Sequence, residues 1–89
     1  MNAQAIVIRE YGGPDVLVPE DLVARAPAEG ELLIRQTGIG VNYHDVYVRS
    51  GLYKTLTLPG TPGCEATGVV EAVGGNVSQF QVGDRVAYV

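Results

Sequence analysis

The 89 residues contain one cysteine, one histidine and no tryptophan. A lone thiol, Cys64, cannot close an intramolecular disulfide and cannot by itself make a metal site. Basic residues are also scarce: six Lys and Arg stand against ten Asp and Glu, a formal net charge of -4, and no basic run occurs. A nucleic-acid or anionic-membrane surface is therefore not expected. Apolar runs break within a few residues, far short of the roughly 20 needed to span a bilayer. The start, Met1-Asn2-Ala3-Gln4, lacks a basic n-region, and Ala5-Ile6-Val7-Ile8 stops at Arg9-Glu10. A secretory signal does not fit, so the expected location is cytoplasmic. What is plentiful is apolar residue, 46% of the chain against 18% charged, the balance of a globular domain. The length suits one small domain and is too short for a complete two-domain enzyme.

Along the chain, Gln4 to Arg9 is a β-branched run that ends at Tyr11-Gly12-Gly13-Pro14, a strand followed by a bend. Val16 to Val23 is interrupted by Pro19 and by Glu20-Asp21, which places any strand there at an edge. After the loop Ala26 to Gly30, residues 31–41 read as a long strand whose Gly38 and Gly40 suggest a bulge. Asn42 then suits a helix cap, Asp45 stands where a capping-box acid belongs, and Val41 and Val46 occupy the positions of a hydrophobic staple. The spacing predicts a helix from Tyr43 to Ser50, closed by Gly51 in the left-handed conformation. Leu52 to Gly63, with Pro59-Gly60 and Pro62-Gly63, should be an ordered loop. Ala66 to Val73 reads as a strand turned by Gly74-Gly75-Asn76, and Asp84 to Val89 as a last strand. No repeat or linker interrupts this β-rich unit, and short strands with glycine turns favour a small barrel over a helical bundle.

Four segments then matter in order and spacing: Gly40-Val41-Asn42-Tyr43-His44-Asp45, Arg49-Ser50-Gly51-Leu52-Tyr53, Pro62 to Val70 through Gly63-Cys64-Glu65, and Val82-Gly83-Asp84-Arg85-Val86. Together they resemble the amino-terminal, GroES-like (alcohol dehydrogenase-like) part of the medium-chain dehydrogenase/reductase superfamily. The resemblance runs from Ala5 to Val89. It implies a mainly β, partly open GroES-like barrel with one short helix, truncated before the Rossmann domain. In the zinc enzymes of that superfamily a Cys ligand stands at the position of Asn42 and a His ligand at that of Cys64. Catalytic zinc takes three protein ligands, and here only Cys64 can serve. The resemblance is accordingly to the zinc-free, quinone oxidoreductase (zeta-crystallin-like) branch.

That branch implies hydride transfer from NADPH to a quinone or another electron-poor enone, with the cofactor supplying the chemistry and the protein the geometry. Charge developing on the acceptor oxygen needs hydrogen-bond donors in place of a metal. Asn42 and Tyr53 are the expected donors, and the resemblance places Asn42, Asp45, Tyr47 and Tyr53 along the substrate or cofactor cleft. Each also has a plainer reading. Asn42 suits a helix cap, Asp45 suits a partner of the helix start or of Arg49, and Tyr47 and Tyr53 suit packing. His44, where zinc-free relatives usually carry an apolar residue, is either a proton donor to the reduced quinone or a solvated side chain, the latter favoured. Cys64 is expected as a small buried hydrophobe, labelled by alkylating reagents only after unfolding. Glu65 is expected to hold its loop through hydrogen bonds.

No Gly-x-Gly-x-x-Gly stands between a strand and a helix, as a doubly wound dinucleotide site requires. The expectation is therefore a piece of a longer enzyme, a homodimer when complete, with NADPH bound mainly outside these residues and no activity in the 89 residues alone. Two alternatives of other classes stand beside it. One is a free-standing GroES-like barrel used for binding or assembly, its last strand pairing with another copy. The other is a zinc-dependent alcohol dehydrogenase relative with substituted ligands.

Overall fold

The computed structural model describes residues 1–89. In order, the elements are β1 (Asn2–Val7), a 3-10 turn (Pro14–Val16), β2 (Val18–Val23), β3 (Leu32–Ile39), α1 (Tyr43–Ser50), β4 (Ala66–Val73) and β5 (Arg85–Tyr88). They form two antiparallel sheets, β1-β2 and β3-β4-β5, neither closed into a barrel. The expected mainly β architecture with one short helix is what is found. No helix is long and apolar enough to cross a membrane. The backbone gathers into two compact units, each made of two stretches of chain: residues 1–24 with 41–64, and residues 25–40 with 65–89.

The first unit contains β1, β2 and α1. β1 alternates exposed and half-buried positions, the period-2 pattern of a sheet with one covered face. Its register with β2 runs from Asn2 opposite Val23 to Val7 opposite Val18 and puts Pro19 opposite Ile6. The sheet has only two strands, so Pro19, which has no N–H, sits in an edge strand where the missing donor is tolerated. Just past β1, Ile8 is fully buried and exchanges both backbone hydrogen bonds with Gly60, at 2.9 and 3.1 Å. That bridge fixes the otherwise irregular loop after α1. The Gly12 N–H donates to the Arg49 carbonyl at 3.0 Å, while Arg49 Nε donates to the Gly12 carbonyl at 3.2 Å. The bend after β1 is thus fastened to the last turn of α1.

The second unit is the three-stranded sheet, with β4 in the middle. Its burial is concentrated at Ala66, Gly68 and Val70, alternate residues of one β4 face. Register shifts fall between Leu33 and Ile34 and between Gln36 and Gly38, so the glycine-bearing end of β3 does carry an irregularity. Val70 is tied beyond the strand by its N–H to Asp84 O and by Gly83 N–H to its own carbonyl, both 2.9 Å. Arg25 forks onto Glu31 at 2.8 and 3.1 Å. The bonds from Arg25 and from the Ala28 N–H hold the exposed Glu31 carboxyl below the usual glutamate range.

The Gly74 N–H donates to Glu31 O and the Gly30 N–H to Gly75 O, both at 2.8 Å, which brings the turn after β4 against the loop before β3. A Cβ at Gly74 would collide with the Ala28 carbonyl oxygen, a backbone atom that cannot swing aside. Gly74→Ala should destabilise the protein by about 1–3 kcal/mol, the usual cost of overpacking. A urea midpoint equal to that of the unsubstituted protein would show that the turn relaxes freely.

Candidate functional site

β3 ends at Ile39 and α1 begins at Tyr43, so Asn42 stands at the hinge between extended and helical backbone, with φ -127° and ψ 160°. Asn42 and Asp45 form a capping box. The Asn42 N–H donates to Asp45 Oδ2 at 2.9 Å, and the Asp45 N–H donates to the Asn42 carbonyl at 3.0 Å. Of the two structural roles expected for Asp45, the helix start is the one adopted. Arg49 bonds Gly12 instead. The staple does not form, because Val41 is 84% exposed and has no apolar partner to cover it. The box needs only backbone and carboxylate geometry and closes without it.

At the other end, Gly51 has φ 87° and ψ 5°, and its N–H donates to Val48 O at 3.2 Å. Left-handed backbone of this kind costs a side-chain-bearing residue free energy that glycine avoids. The chain then turns back, and the Tyr53 N–H donates to Tyr47 O at 3.2 Å. Tyr47 and Tyr53 consequently meet edge to face, centroids 5.5 Å apart and planes at 75°. His44 lies 5.7 Å from Tyr53, and Tyr43 lies 6.3 Å from Tyr47. All of these separations fall in the range of favourable aromatic pairs. Three of the five tyrosines and the only histidine therefore form one row on the surface of the first unit.

The four residues named from the sequence for the cleft, Asn42, Asp45, Tyr47 and Tyr53, lie in this unit, within or beside α1, as does His44, the candidate proton donor. Tyr43 was not among them. Its signal is the four-residue spacing from Tyr47, which places both on one flank of a helix. Cys64 corrects the expectation of a buried thiol, for it is exposed. Its side chain has Asn42 Nδ2 at 4.0 Å, a long contact to a weak acceptor. The reason is local: Cys64 follows the Pro62-Gly63 corner, outside any strand face that would cover it. Glu65 holds its loop by another atom than expected. Its backbone carbonyl, rather than its carboxylate, accepts the Gly40 N–H at 3.1 Å. Nowhere in the chain do three His, Cys, Asp or Glu side chains converge as a metal ion would require.

Residues 28–89 match the family model of the alcohol dehydrogenase GroES-like domain. The chain belongs to that family. The GroES-like chain is 48% identical over 86 residues to a quinone oxidoreductase of Pseudomonas aeruginosa and 44% identical over 85 residues to the human quinone oxidoreductase. These alignments cover 97% and 93% of this chain and 26% of each relative. Among solved structures it is similar to the Escherichia coli quinone oxidoreductase complexed with NADPH, with a TM-score of 0.93 and 42% identity over 97% of this chain and 26% of that one. The chain thus spans about a quarter of the length of the relatives it matches.

The capping box and the exposed thiol each give an expected outcome. Asp45→Ala should cost about 1 kcal/mol of stability, as loss of a helix cap does, readable in the urea midpoint. In the folded chain without denaturant, Cys64 should react with Ellman's reagent to one equivalent. Reaction only after urea is added would place the thiol in a covered position.

Proposed function

We propose that this GroES-like chain is the acceptor-side part of a longer, metal-independent NADPH:quinone oxidoreductase, which reduces a quinone or a similarly electron-poor enone. The observation that carries the reading is that α1 and the turn after it hold an amide donor, Asn42, at the helix start and an exposed pair of phenols, Tyr47 and Tyr53, at the far end, all within one compact unit. The fold supports placing the dinucleotide's own site in the remainder of the longer protein, because both sheets here are antiparallel and contain no βαβ unit. The size of the core supports the same division: Ile8, Val48, Ala66 and Val70 are the buried hydrophobic residues, few for a self-sufficient domain.

NADPH, when bound, supplies the hydride. This chain's part is to hold a flat acceptor and to receive the charge that appears on its oxygen. Asn42 Nδ2–H and the Tyr53 hydroxyl are the proposed donors to that oxygen, and such preorganised donors lower the barrier without a metal. Tyr47 and Tyr53, set edge to face at 75°, offer one ring face and one ring edge to the acceptor. Asp45 shapes the site by holding the Asn42 backbone and serves as no proton donor, since its carboxylate is committed to the helix start. Metal independence is supported by the donor set: the residue facing Cys64 is an amide rather than a second thiolate or imidazole. His44 carries the one imidazole of the row. Its place against Tyr53 makes it the candidate source of the proton taken up with the hydride.

For the complete protein we propose a homodimer in the cytoplasm, the dimer on the family resemblance alone. The test is NADPH oxidation with 1,4-benzoquinone by the longer protein, before and after chelation. Activity should survive the chelator. Asn42→Ala should lower kcat by about 10²-fold, the usual effect of removing one oxyanion donor. His44→Ala should change the pH profile if the imidazole supplies the proton, and an unaltered profile removes it from the step. Loss of activity on chelation, or no quinone reduction at all, would reject the reading.

A further inference from the structure

We infer that Tyr11 is a positioning residue for Tyr53, clamping the turn that carries this proposed donor, an inference that rests on the quinone reading above. Tyr11 lies outside α1, in the bend after β1, and that bend is itself held on both sides. Before it, Ile8 exchanges backbone hydrogen bonds with Gly60; after it, Gly12 exchanges hydrogen bonds with Arg49 in the last turn of the helix. The half-buried Tyr11 thus stands at a fixed place beside the end of α1.

Two residues of the turn after the helix meet Tyr11, and Tyr53 stands between them in sequence. At Gly51 a Cβ would come within 3.0 Å of Tyr11 Cγ and 3.2 Å of Tyr11 Cβ, so the glycine main chain rests directly on the root of the tyrosine side chain. At Lys54 the ammonium nitrogen lies over the Tyr11 ring, 5.6 Å from its centroid, within the range of a cation–π attraction. The third tie is the Tyr53 N–H to Tyr47 O, at 3.2 Å. Tyr53 is therefore bracketed. Its own N–H is bound to the helix, and the residues two before it and one after it are placed by Tyr11.

The bracket acts on the hydroxyl more than on the backbone. The Tyr53 hydroxyl stands at the far end of a long, rigid side chain, so a small rotation of the turn moves it further than the main chain itself moves. A donor displaced by about 1 Å can cost up to about 10²-fold in rate. Tyr11 acts through Tyr53 and not on the acceptor.

The experiment is a double-mutant cycle on kcat for 1,4-benzoquinone with NADPH in the longer protein. Tyr11→Leu should lower kcat about 3- to 10-fold, with the KM for NADPH and the far-UV spectrum retained. Tyr11→Phe keeps the ring face and should retain the kcat of the unsubstituted protein. Lys54→Met keeps the stem without the charge and should lower kcat about 2- to 5-fold, the fold-change of one exposed cation–π contact, while Lys54→Arg should not. In a Tyr53→Phe background, which lacks the hydroxyl to be positioned, Tyr11→Leu should change kcat by less than about 2-fold. If Tyr11→Leu does not fold, Lys54→Met carries the same cycle. An equal fall in both backgrounds would overturn positioning and leave Tyr11 a structural residue. Unchanged kcat in Tyr11→Leu and Lys54→Met, beside an impaired Tyr53→Phe, would overturn the inference while leaving quinone reduction standing. Failure of the unsubstituted protein to reduce the quinone would instead overturn the reading on which the inference rests.

Discussion

The reciprocal hydrogen bonds between Asn42 and Asp45 fix the point at which extended backbone becomes helix, and the candidate site takes its geometry from that point. Moving the helix start by one residue would rotate every following side chain by about 100° around the axis. Tyr47 would then turn away from Tyr53. The far end is fixed as firmly: Gly51 allows the left-handed turn, the Tyr53 N–H returns to Tyr47 O, and Arg49 binds the Gly12 carbonyl. An eight-residue helix is too short to be stable by itself in water. Its caps and its tie to the bend after β1 are what allow it to serve as a platform.

This dependence explains which parts of the fold are legible in the sequence. α1 and β4 match the expected residues 43–50 and 66–73 end for end, because local chemistry marks their ends: Asn42, Asp45 and Gly51 for the helix, Gly74-Gly75-Asn76 for the strand. β1 is displaced from residues 4–9 to Asn2–Val7. Its limits come from the partner β2, which starts opposite Val7 and ends opposite Asn2, and pairing of that kind leaves no local mark. β2 itself forms six consecutive pairs despite Pro19, since an edge strand tolerates a missing donor.

Side-chain surroundings are less legible than backbone. Cysteine is among the most buried residue types, yet Cys64 is exposed, and Val41 sits at a staple position without making one. Both depend on what the tertiary structure brings alongside, and at these two positions it brings no apolar cover. Glu65 shows a finer version of the same difficulty. The sequence points to the residue, but the atom that holds the loop is the main-chain carbonyl, which any residue would have provided. The aromatic row lies between these cases. The Tyr43 to Tyr47 step follows from helix periodicity, while the approach of Tyr53 depends on a turn that only the structure supplies.

The two readings of Asn42, helix cap and hydrogen-bond donor to an acceptor, are usually set against each other. An amide side chain can satisfy both, because its oxygen only accepts and its nitrogen only donates. In the capping box the Asn42 main chain exchanges hydrogen bonds with Asp45, its N–H to Asp45 Oδ2 and its carbonyl from the Asp45 N–H, while Nδ2 lies 4.0 Å from Cys64 Sγ. Sulfur at that distance is a weak partner and leaves the N–H available for a stronger acceptor such as a carbonyl oxygen. Aspartate at this position would keep the cap and lose the donor, bringing a negative charge to the place where the proposed reaction develops one. Serine would keep a cap and a hydroxyl but with a shorter reach. The cap thus fixes the backbone from which the Nδ2 donor projects, and preorganisation of that kind is what a site without a Lewis acid requires.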